Sequence, residues 1–230
     1  MSEERVYKYE MHLHTSPCSG GGRDIREHID DLMSKGFCGA VVTNHFLSGD
    51  TRIDRELPWE EFVDAYRQDY LYGLEYARQV DFDLLFGLEE HVGGGREILL
   101  YGITPELIAS HPELKRASAE TYAEVVHSAG GLVYQAHPYR ARHYVTQPYP
   151  LECLDMLDGI EVYNAGNEEE WNESARKLAE ELDLACVSGS DAHKIGTGGI
   201  GGIATKERIR SNYDLVRVLK SGDYEILRNG

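Results

Sequence analysis

Tyr7-Lys8-Tyr9-Glu10-Met11-His12-Leu13-His14 is an alternating apolar run, Tyr7 to Met11, that stops at two histidines separated by one residue. Period-two alternation reads as a strand, and the same spacing aims both imidazoles to one side. The pattern recurs down the chain. Gly39 to Thr43 is a small, β-branched strand ending at Asn44-His45, and Asp83 to Leu88 is an apolar strand ending at Glu89-Glu90-His91. Leu132 to Gln135 runs into Ala136-His137-Pro138, Gly159 to Tyr163 carries Glu161, and Ala185 to Ser188 leads to Asp191-Ala192-His193. Glu97 to Tyr101 and Tyr224 to Leu227 read as further strands. Helical periodicity covers Asp24 to Lys35, Trp59 to Val80, Ser118 to Ala129, Glu168 to Leu182 and 212–221, with Asp24 as a cap and Gly36 and Gly130-Gly131 as stops.

Apolar strands alternating with helices imply an α/β fold, a parallel sheet covered by helices. About seven such units within 230 residues favour a closed barrel over an open doubly wound sheet. No internal repeat, low-complexity tract or long linker interrupts the alternation, so residues 1–230 read as a single domain.

The chain carries 23 basic and 40 acidic residues, a net charge of −17. That acidity argues against a general nucleic-acid binder, because phosphate backbones recruit clustered Lys and Arg. It also disfavours docking on anionic lipid. No secretory signal is visible at Met-Ser-Glu-Glu-Arg, and no apolar stretch approaches the roughly 20 residues that span a bilayer. Cys18, Cys38, Cys153 and Cys186 form no Cys-x-x-Cys pair. The expectation is a cytoplasmic protein with free thiols and no membrane partner.

In parallel barrels the active site lies at the C-terminal ends of the strands. Histidines and carboxylates occupy six of those ends here, and these are the side chains that hold zinc, manganese and iron. The single-residue spacing of His12 and His14, and of Asp191 and His193, lets each pair reach one centre. A lone histidine or glutamate at any one end is ordinarily a hydrogen-bonded or solvated residue; it is their joint placement that points to a metal. His28, His111 and His127 fall in helical or loop stretches and are read as structural, His143 as exposed, and Cys18 as a small buried thiol.

His12-Leu13-His14-Thr15-Ser16, Thr43-Asn44-His45, Gly87-Leu88-Glu89, Ala136-His137-Pro138 and Gly189-Ser190-Asp191-Ala192-His193 follow in order. Together they resemble the motifs of the PHP family, the polymerase and histidinol phosphatase domain, from about Tyr9 to about Gly202. The resemblance implies a distorted (β/α)7 barrel with two or three divalent metals (Zn, Mn or Fe) and phosphoester hydrolysis. Carried over by motif, His12, His14, Glu89 and Asp191 hold one metal. Glu89 bridges to a second, also held by His137, and His45 and His193 hold a third. The chain departs from the pattern at three places. Cys18-Ser19-Gly20 stands where members place Asp or His, which leaves the third position short of a ligand. Glu97 stands where members carry His, with His91 as a rival for that role. Asn44 replaces the aspartate of Thr-Asp-His.

The expected chemistry is hydrolysis of a small phosphorylated metabolite by metal-activated hydroxide: a phosphomonoester such as histidinol phosphate or a nucleotide, or a phosphodiester. Glu89 and Asp191 are its main carboxylates, and His193 can protonate the leaving oxygen. Arg140 and Arg23 are candidate cations for the phosphate, and the glycine run Gly198 to Gly202 is a candidate donor of backbone N–H groups. Three readings compete with this one: a catalytically idle metal-binding interaction module, a hydrolase of a non-phosphate bond, and nucleic-acid processing, which the acidity makes unlikely.

Overall fold

The first strand extends two residues past its apolar run, to Leu13, taking in His12 and leaving His14 immediately after its end. In the computed structural model, which describes residues 5–16, 19, 20, 22–196 and 200–229, this strand is β1 (Tyr7–Leu13). The elements that follow are β2 (Thr15–Ser16), β3 (Arg23–Asp24), α1 (Ile25–Ser34), β4 (Gly39–Val42), α2 (Trp59–Gln79), β5 (Asp83–Phe86), β6 (Leu88–His91) and β7 (Glu97–Tyr101). Then come α3 (Pro105–Ala109), α4 (Ala119–Ser128), β8 (Leu132–Ala136), β9 (Gly159–Asn164), α5 (Glu169–Leu182), β10 (Ala185–Gly189), β11 (Gly202–Thr205), α6 (Asn212–Ser221) and β12 (Tyr224–Leu227).

Two five-stranded sheets carry the fold, in the orders β12-β11-β1-β4-β5 and β10-β9-β8-β7-β6. β1, β4 and β5 run parallel, as do β8, β9 and β10, while β11-β12 and β6-β7-β8 are antiparallel. The wholly parallel, closed barrel expected from the sequence is therefore not present among the described residues. β1 has β11 on one side and β4 on the other, so no edge remains for β10 to pair with along its length. Backbone hydrogen bonds join the two sheets at strand ends. Asp191 N–H donates to the His12 carbonyl at 2.9 Å and His14 N–H to that of Ala192 at 3.1 Å. At the other seam Glu89 N–H donates to the Asn44 carbonyl and Phe46 N–H to that of Glu89, at 3.0 and 2.7 Å.

Gly87 marks the second departure. The run Asp83 to Leu88 is not one strand: it changes sheets at Gly87, where a Cβ would lie 2.8 Å from the Leu100 carbonyl oxygen and from Val41 Cγ1. β11 was not expected at all. It opens at Gly202, the end of the glycine run, and residues 197–199 of that region lie outside the described residues.

An apolar cluster fills the space between the sheets, with Tyr9, Met11, Val41 and Leu85 facing Leu99, Tyr101, Leu132, Tyr134 and Val187. Leu13 instead packs outward with Ile25, Ile29 and Leu32 of α1. Met11 and Leu13 would share a face in a regular strand. The register between β1 and β4 shifts between Glu10 and Leu13, a bulge that changes the face. It places His12 and His14 on the inside, next to the apolar cluster. α1 starts where the Asp24 side chain accepts from Arg26 N–H at 2.9 Å, and it stops before Gly36, at φ +80°.

Candidate metal centre

Six strand ends converge on one cluster. His12 and His14 come from β1 and its end, His45 from the segment after β4, Glu89 from β6 and Glu97 from the start of β7. His137 follows β8, and Asp191 and His193 follow β10. Glu89 is central: its Oε1 lies 3.1 Å from His12 Nε2 and 3.2 Å from His137 Nε2, and its Oε2 lies 2.9 Å from His45 Nδ1 and 3.3 Å from His14 Nε2. Asp191 Oδ1 lies 3.0 Å from His14 Nε2 and 3.7 Å from both His12 Nε2 and His193 Nδ1. Glu97 lies 3.4 Å from His137 Nε2 and 3.7 Å from His45 Nδ1.

Four overlapping triads bring one donor atom each within 4.8 Å: His12-Glu89-His137, His12-His14-Asp191, His14-His45-His193 and His45-Glu89-Glu97. Two features show that the donors fit a divalent cation. Glu89 Oε2 and His45 Nδ1 are buried and 2.9 Å apart, yet among the described residues neither has a hydrogen-bond partner. His12 Nε2 and His14 Nε2 face each other at 3.0 Å. Two ring nitrogens this close repel if both carry lone pairs, and a cation held by both removes that repulsion.

The polar groups behind the ligands hold them in place. Glu161 Oε1 lies 3.0 Å from His12 Nδ1, and its Oε2 accepts from His137 N–H and Asn164 Nδ2, each at 3.0 Å. Glu10 Oε1 accepts from His12 N–H and Ser190 N–H, at 2.8 and 3.0 Å, and so ties β1 to the Asp191 turn. A carboxylate behind a metal-bound imidazole fixes its tautomer and raises its basicity. Gly189 lets the layers approach, since a Cβ there would meet His12 Cβ at 2.2 Å. His137 and Asp191 adopt φ of +26° and +54°, backbone that non-glycine residues rarely take up and that clusters at functional sites.

Electrostatics divides the cluster into two kinds of group. Burial and then Glu89 push the Glu97 carboxyl up to about 8. Burial opposes the charge on His45, but Glu89 and then Glu97 outweigh it and lift the ring to about 9. Burial also works against Asp191, yet Arg140 and then His12 hold it well below the usual carboxylate range. His14 goes the other way, lowered by burial and then by His45 and His193.

A cavity of about 420 Å³ opens on the cluster, lined by His45, Glu97, Asp191 and His193 together with Ser48, His91, Arg140 and Tyr144. His91 reaches this wall but belongs to none of the triads, and its Nε2 accepts from Gly95 N–H at 3.0 Å. Glu97, not His91, stands among the ligand atoms. Arg140 is buried, with Nε on Asn167 Oδ1 at 2.9 Å and Nη2 on Asn164 Oδ1 at 2.9 Å and Asp191 Oδ2 at 2.6 Å. The candidate phosphate cation is therefore anchored on three side chains while it lines the cavity. Arg23 is a clear correction: it is exposed on β3 and lines a separate surface depression with Glu27, Asp30 and Lys194, because α1 starts immediately after it and carries the chain away. Cys18 lies outside the described residues, and Ser19 supports His14 from behind, its Oγ 3.1 Å from Nδ1. His28 is buried on α1 away from the triads, His111 pairs with Glu113, and His127 with Asp158.

A family described as PHP-associated, PHP_C, matches residues 169–224, from α5 into β12. An inferred metal-dependent phosphoesterase of Bifidobacterium adolescentis superposes with a TM-score of 0.62 at 17% identity, covering 95% of this chain and 97% of its own. A two-domain protein of Bacteroides vulgatus with an inferred PHP-like metal-dependent phosphoesterase superposes with a TM-score of 0.72 at 14% identity, covering 98% of this chain and 65% of that one. The chain has the PHP-like fold. No curated protein matches it.

The same PHP-like architecture occurs in an endonuclease Q bound to a 27-mer duplex with an abasic lesion at its active site, with a TM-score of 0.57 at 12% identity, covering 96% of this chain and 58% of that one. This corrects the expectation that nucleic acid is an unlikely partner. Net charge sums over the whole surface, whereas a phosphate in a cavity meets only the local charge, so −17 does not exclude a polynucleotide. No helix among the described residues is long and apolar enough to cross a membrane.

Proposed function

We propose that the chain is a metal-dependent hydrolase of phosphoric esters. The observation that carries the reading is the convergence of His12, His14, His45, Glu89, Glu97, His137, Asp191 and His193 on one cluster, four of them (His45, Glu97, Asp191 and His193) lining an open cavity, with Glu89 Oε2 and His45 Nδ1 unpartnered among the described residues. Two or three divalent ions (Zn, Mn or Fe) suit these imidazole and carboxylate donors. Bound there, they supply positive charge against phosphoryl oxygens and acidify water. The chain's residues do the rest. Glu89 belongs to two of the triads and would serve both positions, while Asp191 belongs to one. Arg140 holds Asp191 Oδ2 at 2.6 Å while lining the cavity, so it stiffens the carboxylate and adds positive potential beside it. His193 is the most exposed of the eight and lies on the cavity wall; when no metal fills the His14-His45-His193 position, it would hold the proton for the leaving oxygen. The retention of all eight donors with an accessible cavity favours an enzyme over an idle binding module.

The test is elemental analysis of protein purified without chelator, followed by a phosphate-release screen over phosphomonoesters, phosphodiesters and lesion-bearing oligonucleotides. Metal-free wild-type protein, or metal-loaded protein inert on every ester class, overturns the reading.

A further inference from the structure

Asp69 is a charged residue on the buried face of α2, where it follows Phe62, Val63 and Tyr66. It is 4% exposed and touches none of the eight donors above. Its Oδ2 accepts from Thr15 Oγ1 and, at 3.3 Å, from Asn44 Nδ2. Asn44 Nδ2 also donates to Thr15 Oγ1 at 2.8 Å. The other end of the amide, Asn44 Oδ1, accepts from Thr15 N–H at 2.6 Å and from Ser19 Oγ at 3.0 Å. Ser19 Oγ in turn accepts from His45 N–H at 3.0 Å and lies 3.1 Å from His14 Nδ1.

These contacts have one consistent direction. An ionised carboxylate only accepts. The Thr15 hydroxyl proton therefore goes to Asp69, leaving Thr15 Oγ1 to accept from Asn44 Nδ2. Asp69 and Thr15 Oγ1 thus draw the amide nitrogen to their side, and Thr15 N–H, which can only donate, holds the oxygen; together they fix which end of the Asn44 amide is oxygen. The oxygen faces Ser19, so the single Ser19 proton is spent on Asn44. Ser19 Oγ has then only lone pairs for His14, and the proton of the neutral His14 ring must sit on Nδ1. Nε2 keeps its lone pair, and Nε2 is the nitrogen that faces Asp191 Oδ1 at 3.0 Å and Glu89 Oε2 at 3.3 Å.

We propose that Asp69 is a positioning residue of the metal centre: through Thr15, Asn44 and Ser19 it sets the His14 tautomer that leaves Nε2 free to bind a metal. The proposal rests on the cluster being a metal centre. His14 belongs to two triads, so the residue acts on both, and its effect is largest at the His14-His45-His193 position, which has no carboxylate of its own. Aspartate on a helix stripe otherwise occupied by apolar side chains is costly to bury. The hydrogen-bond chain is its compensation.

The experiment uses the full chain with ¹⁵N-labelled histidine. In metal-stripped wild type at neutral pH, the His14 nitrogen shifts should report Nδ1–H, with assignment by His14→Gln. Asp69→Ala should shift the population towards Nε2–H and weaken retention of one metal against a chelator by about 10-fold, the lower end of the effect of losing an outer partner of a metal-bound imidazole. Asp69→Asn keeps an acceptor oxygen and should restore both readouts. An Asp69→Ala protein that melts earlier but keeps the Nδ1–H signature and the wild-type chelator midpoint overturns the proposal, because Asp69 is then only structural. If the alanine variant does not fold, Ser19→Ala carries the test: a mixed His14 tautomer supports the chain, and an unchanged one overturns it. Failure of the metal-centre reading is distinct, appearing as wild-type protein that takes up no metal.

Discussion

Glu161→Gln is a one-atom change that should disable His12 as a ligand. Glu161 is 1% exposed and receives three donors, His12 Nδ1, His137 N–H and Asn164 Nδ2, all at 3.0 Å. Glutamine keeps one acceptor oxygen. If that oxygen serves His137 and Asn164, the new NH2 points at His12 Nδ1, which must then accept. The ring proton moves to Nε2, the nitrogen that lies 3.1 Å from Glu89 and 3.0 Å from His14, and the lone pair meant for a metal is gone. If the amide turns the other way, two buried donors face an NH2, at about 1–3 kcal/mol each. Either outcome exceeds the ~1.4 kcal/mol that corresponds to a tenfold change. The expectation is a metal affinity lower by about 10–100-fold, read by competition with a fluorescent chelator at neutral pH, with the far-UV circular dichroism unchanged. A Glu161→Gln protein that competes as well as wild type would refute the reasoning.

Asp191→Asn and His12→Ala should each abolish phosphate release on an active substrate while leaving a folded protein; wild-type turnover in both would reject their assignment as ligands. Arg140→Ala removes the partner of Asp191 and should lower kcat/KM by roughly 1–3 kcal/mol in transition-state terms, and unchanged steady-state kinetics would return Arg140 to a purely structural role. Without metal, Glu97 at about 8 and His45 at about 9 both bind protons more tightly when folded than when unfolded. Their contribution to stability is complete below the unfolded values and is lost as pH rises through 8 and 9. Chelated protein should therefore melt at a lower temperature at pH 9 than at pH 7, and metal-loaded protein should lose less. A flat or rising melting temperature for the chelated protein contradicts this.

Most of the candidate ligands were legible because they sit where apolar strands stop, at His12-Leu13-His14, His45, Glu89, His137 and Asp191-Ala192-His193, and their joint placement is hard to explain otherwise. The groups behind them were not. Glu161 meets His12 across 149 residues of sequence, a pairing no local pattern contains. Two signals were nevertheless present. Gly-Ile-Glu-Val-Tyr places an acid in the middle of a strand otherwise buried, and Asp69 occupies the apolar stripe of α2 at helical spacing. A charge on a face that must be buried needs a partner, and that need marks it for inspection. The closed barrel expected from the sequence does not follow from periodicity, which reports strands but not their neighbours. The switch at Gly87 and the antiparallel β11 depend on close backbone approaches that appear only once the sheets are assembled. The choice between Glu97 and His91 was likewise a matter of register: β7 opens with Glu97 opposite Ala136, next to His137, whereas His91 lies beyond the cluster at the Gly95 turn.

The position of the seams joins the fold to the chemistry. The apolar cluster between the sheets, each large side chain contributing roughly 1.5–3 kcal/mol when buried, holds them together but has no direction. Directional hydrogen bonds cross at the strand ends, from Asp191 to His12, from His14 to Ala192 and from Phe46 to Glu89, and each of those bonds involves a ligand or its neighbour. Asp191 also sits in left-handed backbone that its own ligand contacts must help to hold. An ion held by His12, Glu89 and His137 would link β1, β6 and the end of β8, and one held by His12, His14 and Asp191 would link β1 and the end of β10. Forming the site and docking the sheets are then one event, and metal affinity appears in part as stability of the fold.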